Sequence, residues 1–135
     1  MDAKAQRRKE ENHLSHEVIG AAIEVHRRLG PGLLESVYEE CLSIELRNRG
    51  IAHERQKPVS VVYRGVDVGA GYRADLIIEG ILIVELKAMA TCAPVHKAQL
   101  LTYLRLTGCK LGLLINFGME TLRDGIERVA DGLRE

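Results

Sequence analysis

The sequence predicts an α/β domain built on a mixed four-stranded sheet flanked by helices, in the order ααβββαβα. Three observations carry this reading. Two segments with apolar residues at helical spacing open the chain, three runs rich in β-branched residues follow between turn signals, and a further helical segment leads into a short aliphatic run and a last helical pattern. Three meandering strands, then a crossover helix to a fourth, imply a mixed sheet with helices on its faces.

The first helix takes Ser15 as its N-cap, repeats Leu14, Val18, Ala22, Val25 and Leu29 on one stripe, and ends at Gly30-Pro31-Gly32. A second helix is expected from about Leu33 to Arg49, with a stripe through Leu34, Tyr38, Cys41, Leu42 and Leu46 and Gly50 as its cap. Pro58 opens a strand from Val59 to Tyr63, Arg64-Gly65 turns it, and a second strand runs past Gly69 and Gly71 to Ile78. The third strand spans Ile81 to Ala88. Pro94 suits a first helical position, and the helix it starts stops at Gly108. Leu111 to Asn116 is uninterrupted and aliphatic, as a buried strand is. Leu122, Ile126, Val129 and Leu133 predict a final helix.

At 135 residues, with 46% apolar and 28% charged side chains, the chain has the size and balance of one globular domain. Residues 1–13 are polar and charged and are expected as an N-terminal tail or one added turn of helix, leaving 14–135 as a single domain. Net charge is zero, which argues against a general polyanion sponge but not against a local basic groove. The three cysteines, Cys41, Cys92 and Cys109, lack zinc spacing and read as reduced thiols. No apolar stretch has membrane-spanning length and no signal peptide is visible, so a cytoplasmic protein is expected.

The chemistry concentrates in Arg73-Ala-Asp75-Leu-Ile-Ile-Glu-Gly-Ile-Leu-Ile-Val-Glu85-Leu-Lys87. Charged groups among Ile and Val cost several kcal/mol each unless something compensates their lost hydration. Strand alternation places Glu85 and Lys87 on one face. Whether Asp75 joins them depends on the turn. A two-residue Glu79-Gly80 turn pairs Ile78 with Ile81 and sets Asp75 opposite Val84, with Glu85 on the other face. A three-residue loop from Ile78 to Gly80, with Gly80 in the left-handed position of a bulge, sets Asp75 opposite Ile83 and makes Glu85 its diagonal neighbour. The bulged loop is the expectation, since roughly 7–8 Å between diagonal neighbours is a span one divalent cation bridges.

His96, Gln99 and Tyr103 share a face of the helix that follows, close behind Lys87, and Gln99 is placed to donate to a phosphate or to water. Glu35 stands in the first turn of the second helix at the margin of its apolar stripe, where a carboxylate needs a partner. Arg73, two residues before Asp75, is a candidate phosphate contact. These groups suit phosphodiester hydrolysis: Mg²⁺ or Mn²⁺ held by Asp75, Glu85 and the Leu86 carbonyl, with Lys87 orienting or activating the attacking water.

Asp75 followed by Glu85-x-Lys87 on a hairpin, with a helix behind it, resembles the core of the PD-(D/E)XK nuclease superfamily. The Gln99-x-x-x-Tyr103 spacing is similar to a motif of its recombination-repair exonuclease branch. Gly32-Leu-Leu-Glu35-Ser-Val-Tyr38, Val18-Ile-Gly-Ala-Ala-Ile-Glu-Val-His26, Gly71-Tyr-Arg-Ala-Asp75 and Ala98-Gln-Leu-Leu-Thr-Tyr103 are similar to the small GxxExxY proteins. The likeness covers about residues 14 to 131. It implies a restriction-endonuclease-like α/β core, with Asp75, Glu85 and Lys87 in the metal-site roles. Glu35 becomes the helix-borne acid and Gln99 an auxiliary polar group. Arg73, His96, Tyr103 and Tyr38 are the substrate-binding candidates. Ala74 stands where the superfamily's name has Pro. The function expected is a Mg²⁺-dependent nuclease acting on DNA, working as a homodimer or beside a larger protein and away from membranes. The alternative, favoured by zero net charge, is a nucleic-acid or protein binding module on the same scaffold without turnover.

Overall fold

The computed structural model describes residues 2–131. In chain order these form α1 (Ala3–Leu29), α2 (Glu35–Asn48), β1 (His53–Tyr63), β2 (Val66–Ile78), β3 (Leu82–Lys87), α3 (Pro94–Thr107), β4 (Leu111–Asn116), a short 3-10 turn (Leu122–Gly125) and β5 (Ile126–Ala130). The sheet order follows the chain, β1 to β5, and every pair is antiparallel except β3 with β4. The α/β class and the crossover through α3 agree with the sequence. The strand count does not, because the sheet has five strands and not four.

The fifth strand replaces the expected last helix. Leu122 packs with α1 and α2 on one side of the sheet, whereas Val129 packs with Leu100 and Leu104 of α3 on the other. The helical spacing was therefore formed by residues serving two different cores. Gly125 allows a backbone approach in which a Cβ would lie 2.3 Å from the Asn116 carbonyl, and the chain turns there into β5. Leu133 lies outside the described residues.

Two further boundaries move. Residues 3–13, expected as a tail or one added turn of helix, form the first part of α1: Ala, Gln, Arg, Lys and Glu are strong helix formers, and Asp2 caps them by accepting the Ala5 N–H at 2.7 Å. Ser15, the expected cap, is buried in mid-helix. β1 starts at His53, so Pro58 lies within it; β1 is a sheet-edge strand, where a missing N–H is tolerated.

One face of the sheet carries the larger core. Leu76, Ile78, Leu82, Val84, Leu86, Leu111, Leu113 and Ile115 meet the apolar stripes of α1 and α2. The Tyr38 ring stacks on Phe117 at 4.5 Å, and its hydroxyl donates to the Gly30 carbonyl at 2.5 Å while accepting the Leu33 N–H at 3.1 Å. The opposite face meets α3 in a smaller cluster of Ile83, Leu100, Leu104, Cys109, Leu114 and Val129. β4 is buried at every position, which explains its unbroken aliphatic run. Among the described residues no helix is long and apolar enough to cross a membrane.

Candidate active site

Alternation along β3 puts Glu85 and Lys87 on the face of Ile83, towards α3. The hairpin that brings Asp75 to them has neither of the two expected registers. Ile78 pairs with Leu82, Ile77 with Ile83 and Leu76 with Val84, so the loop is Glu79-Gly80-Ile81, with Glu79 and Gly80 both at positive φ (52° and 75°). The paired ladder ends at Leu76 and Val84, and just beyond it Asp75 meets Glu85 and Leu86 through side-chain-to-backbone bonds, not as a backbone partner. The shared face survives because the true loop differs from the expected one by two positions in the ladder, and two steps restore the same side.

The two acids grip each other's strands. The Asp75 N–H donates to the Glu85 carboxylate at 3.2 Å, and the Leu86 N–H donates to Asp75 Oδ2 at 2.8 Å. Burial and the facing Asp75 charge push the Glu85 carboxyl up to about 8, although the Asp75 N–H and the Lys87 charge favour its ionised form. Glu35 reaches the cluster from the start of α2. Its carboxyl is pushed above the ordinary range first by desolvation and then by Asp75, while Lys87 and His96 pull it down. Those couplings place Asp75, Lys87 and His96 within electrostatic reach of Glu35.

The remaining candidates divide. Tyr103 is partly buried beside the acids, and desolvation followed by the Glu85 and Asp75 charges raises its hydroxyl. His96 is half-buried, with an Nδ1 that has no hydrogen-bond partner among the described residues. Gln99 and Arg73 are exposed; Arg73 lies opposite Pro58 in the ladder. Tyr38 is not brought to the cluster: it is fully buried between the helices, and its hydroxyl closes the Gly30–Leu33 loop. The tyrosine of that motif has a packing reason for its presence.

Four contributors escaped the sequence reading. Tyr72 stacks on Tyr103 with ring centroids 3.6 Å apart, and desolvation followed by the Glu85 charge raises its hydroxyl. Gln56 donates to Asp75 Oδ1 at 3.2 Å and to Glu39 Oε1 at 2.6 Å, while Arg55 donates to Glu39 Oε2 at 3.0 Å. Glu39 had a signal, since it lies one helical turn beyond Glu35 on the same face. Gln56 had none, because its nearness to Asp75 depends on strand register.

On the same face, where Glu85 pairs with Leu114 and Leu114 with Glu127, a cavity of about 260 Å³ opens beside the cluster. Its lining includes Cys92, Asn116, Asp124 and Glu127.

A mixed sheet presenting an acid on one strand, and an acid with a lysine two residues on along its neighbour, defines an α/β domain of the nuclease type. The model of the PD-(D/E)XK nuclease superfamily matches residues 12–129, and the chain belongs to that superfamily. No curated protein and no solved structure matches it.

Members of this superfamily typically use divalent metal ions. Among the described residues no group of three or more His, Cys, Asp or Glu side chains is arranged to hold one. What faces the site is a pair of carboxylates and a strand edge. In an extended strand the N–H and C=O of one residue point to the same edge, so the Leu86 carbonyl shares the edge on which its N–H meets Asp75. Two carboxylates and a carbonyl are hard oxygen donors, which fits Mg²⁺ or Mn²⁺, with water completing the shell.

Proposed function

We propose that the protein is a Mg²⁺- or Mn²⁺-dependent nuclease of the GxxExxY type that hydrolyses phosphodiester bonds in DNA. The observation that carries this reading is the contact of Asp75 with Glu85 and the Leu86 N–H, with Lys87 on the face of Glu85 and Glu35 coupled to Asp75, Lys87 and His96. Asp75, Glu85 and the Leu86 carbonyl would hold the ion, which would supply Lewis acidity at the scissile phosphate. Glu85 would have to be ionised to serve as a ligand, so ion and proton would compete for one carboxylate. Lys87 holds the attacking water and offsets the negative charge that develops on the phosphate. Glu35 accepts a hydrogen bond from that water, and Gln99 and Arg73 contact the phosphodiester backbone. Tyr72 and Tyr103 shield one side of Glu85 from solvent, and His96 donates to the substrate from α3. A single domain, with residues 3–13 extending its first helix, works as a homodimer or beside a larger protein in the cytoplasm.

The test incubates purified protein with single-stranded, double-stranded and branched DNA, and with RNA, in Mg²⁺ or Mn²⁺. Wild type is expected to cleave DNA, and Lys87→Ala to lower the rate by about 100-fold or more. Absence of cleavage by wild type, or equal cleavage by the variant, would sink the assignment. Titration calorimetry with Mn²⁺ should show binding that Asp75→Asn abolishes; no binding at millimolar ion, with or without DNA, points to a binding module without turnover.

A further inference from the structure

Three non-glycine residues among those described have positive φ: Gln56, Arg64 and Glu79. Arg64 and Glu79 sit in tight hairpin turns, where that conformation closes the loop. Gln56, at φ 49°, sits inside β1 with strand on both sides. A left-handed backbone costs an L-residue free energy and persists only where its surroundings over-determine it.

The register shows what the distortion accomplishes. Arg55 pairs with Leu76 and Lys57 with Ala74, so Gln56 stands opposite Asp75, yet the two are not ladder partners. In place of a backbone pair, the Gln56 amide spends its two N–H groups on two carboxylates: Asp75 Oδ1 at 3.2 Å and Glu39 Oε1 at 2.6 Å. Glu39 is 8% exposed and is held on its other oxygen by Arg55. Asp75 therefore takes one bond from β1 and one from β3, since the Leu86 N–H occupies Oδ2. Each oxygen keeps a lone pair for something else.

We infer that Gln56 is a positioning residue. Anchored by Glu39, it sets the plane of the Asp75 carboxylate and ties α2, with Glu35 one turn from Glu39, to the strand that carries Asp75. This rests on the metal-site reading above, and extends it to two residues that touch neither ion nor substrate. A neutral amide suits the place. Glutamate there would put a third carboxylate between two others, and lysine would neutralise Asp75.

Gln56→Gly separates positioning from support of the fold, because glycine accepts the backbone conformation while losing the amide. Two readouts follow it: the chemical shift and hydrogen-exchange rate of the Leu86 amide in the metal-free protein, and Mn²⁺ affinity by calorimetry. The expected result is a shifted, faster-exchanging Leu86 amide and Mn²⁺ affinity lowered about tenfold or more, with an unchanged or raised melting temperature. Arg64→Gly, the same backbone relief at the remote hairpin tip, should leave both readouts as in wild type. A Leu86 amide identical in Gln56→Gly and wild type overturns the inference. Wild type without Mn²⁺ affinity sinks the metal reading, and the Leu86 amide then still decides whether Gln56 holds Asp75. Should Gln56→Gly not fold, Glu39→Gln, which weakens the anchor and keeps the shape, must perturb the same amide; if it does not, the inference fails.

Discussion

The two faces of the sheet are built to different ends. Towards α1 and α2, Leu76, Ile78, Val84, Leu86, Leu113 and Ile115 form a continuous apolar layer closed by the stacked Tyr38 and Phe117 rings. Towards α3, the apolar cluster has six buried members, and the β3 row that contributes Ile83 to it continues into Glu85 and Lys87. The comparison shows where charges can be carried. One helix covers that face only in part, so the acids meet both the sheet interior and solvent, and their chemistry depends on that boundary. Stability is drawn mainly from the other side.

The strongest way to break this contrast is to open the closed face. Phe117→Ala should destabilise the protein by about 3–5 kcal/mol in a denaturant titration, through lost burial and the cavity left against Tyr38. The α3 face should respond to pH instead. The Glu85 carboxyl is raised from 4.5 to about 8, so the folded state keeps a proton that the unfolded chain releases between those values. In metal-free protein its contribution is complete below the lower value and is lost as pH rises through the upper one, with a slope of up to about 1.4 kcal/mol per pH unit. Glu85→Gln should remove that slope and leave the variant more stable than wild type near pH 8. Equal slopes in both proteins would show that Glu85 ionises normally.

Smaller effects sharpen the assignment. Tyr38→Phe keeps the stack and loses the bonds that close the Gly30–Leu33 loop, and should cost about 1 kcal/mol while leaving Mn²⁺ affinity unchanged. A lowered affinity would return Tyr38 to the site from which its burial separates it.

The sequence made some of this legible for reasons that need no neighbours. Strand alternation is enough to put Glu85 beside Lys87, and spacing with start and stop signals is enough to outline α2 and α3. Other features were out of reach. The final segment mimicked a helix because Leu122 and Val129 were bound for opposite cores, and spacing carries no record of which core a residue serves. Tyr38 was legible twice, on the apolar stripe of the second helix and in a shared motif, and its burial follows the stripe.

What the chain determines locally is the set of elements and the face on which each strand carries its charges. Only the tertiary structure decided that Asp75 meets Glu85 at the end of the β2–β3 ladder, that Tyr72 lies on Tyr103, and that Gln56 leaves the ladder to bridge Glu39 and Asp75. The physical reason is register. Side-chain direction follows from each residue's own backbone, whereas pairing across strands is settled by the loop that joins them and by the cores they must fill together.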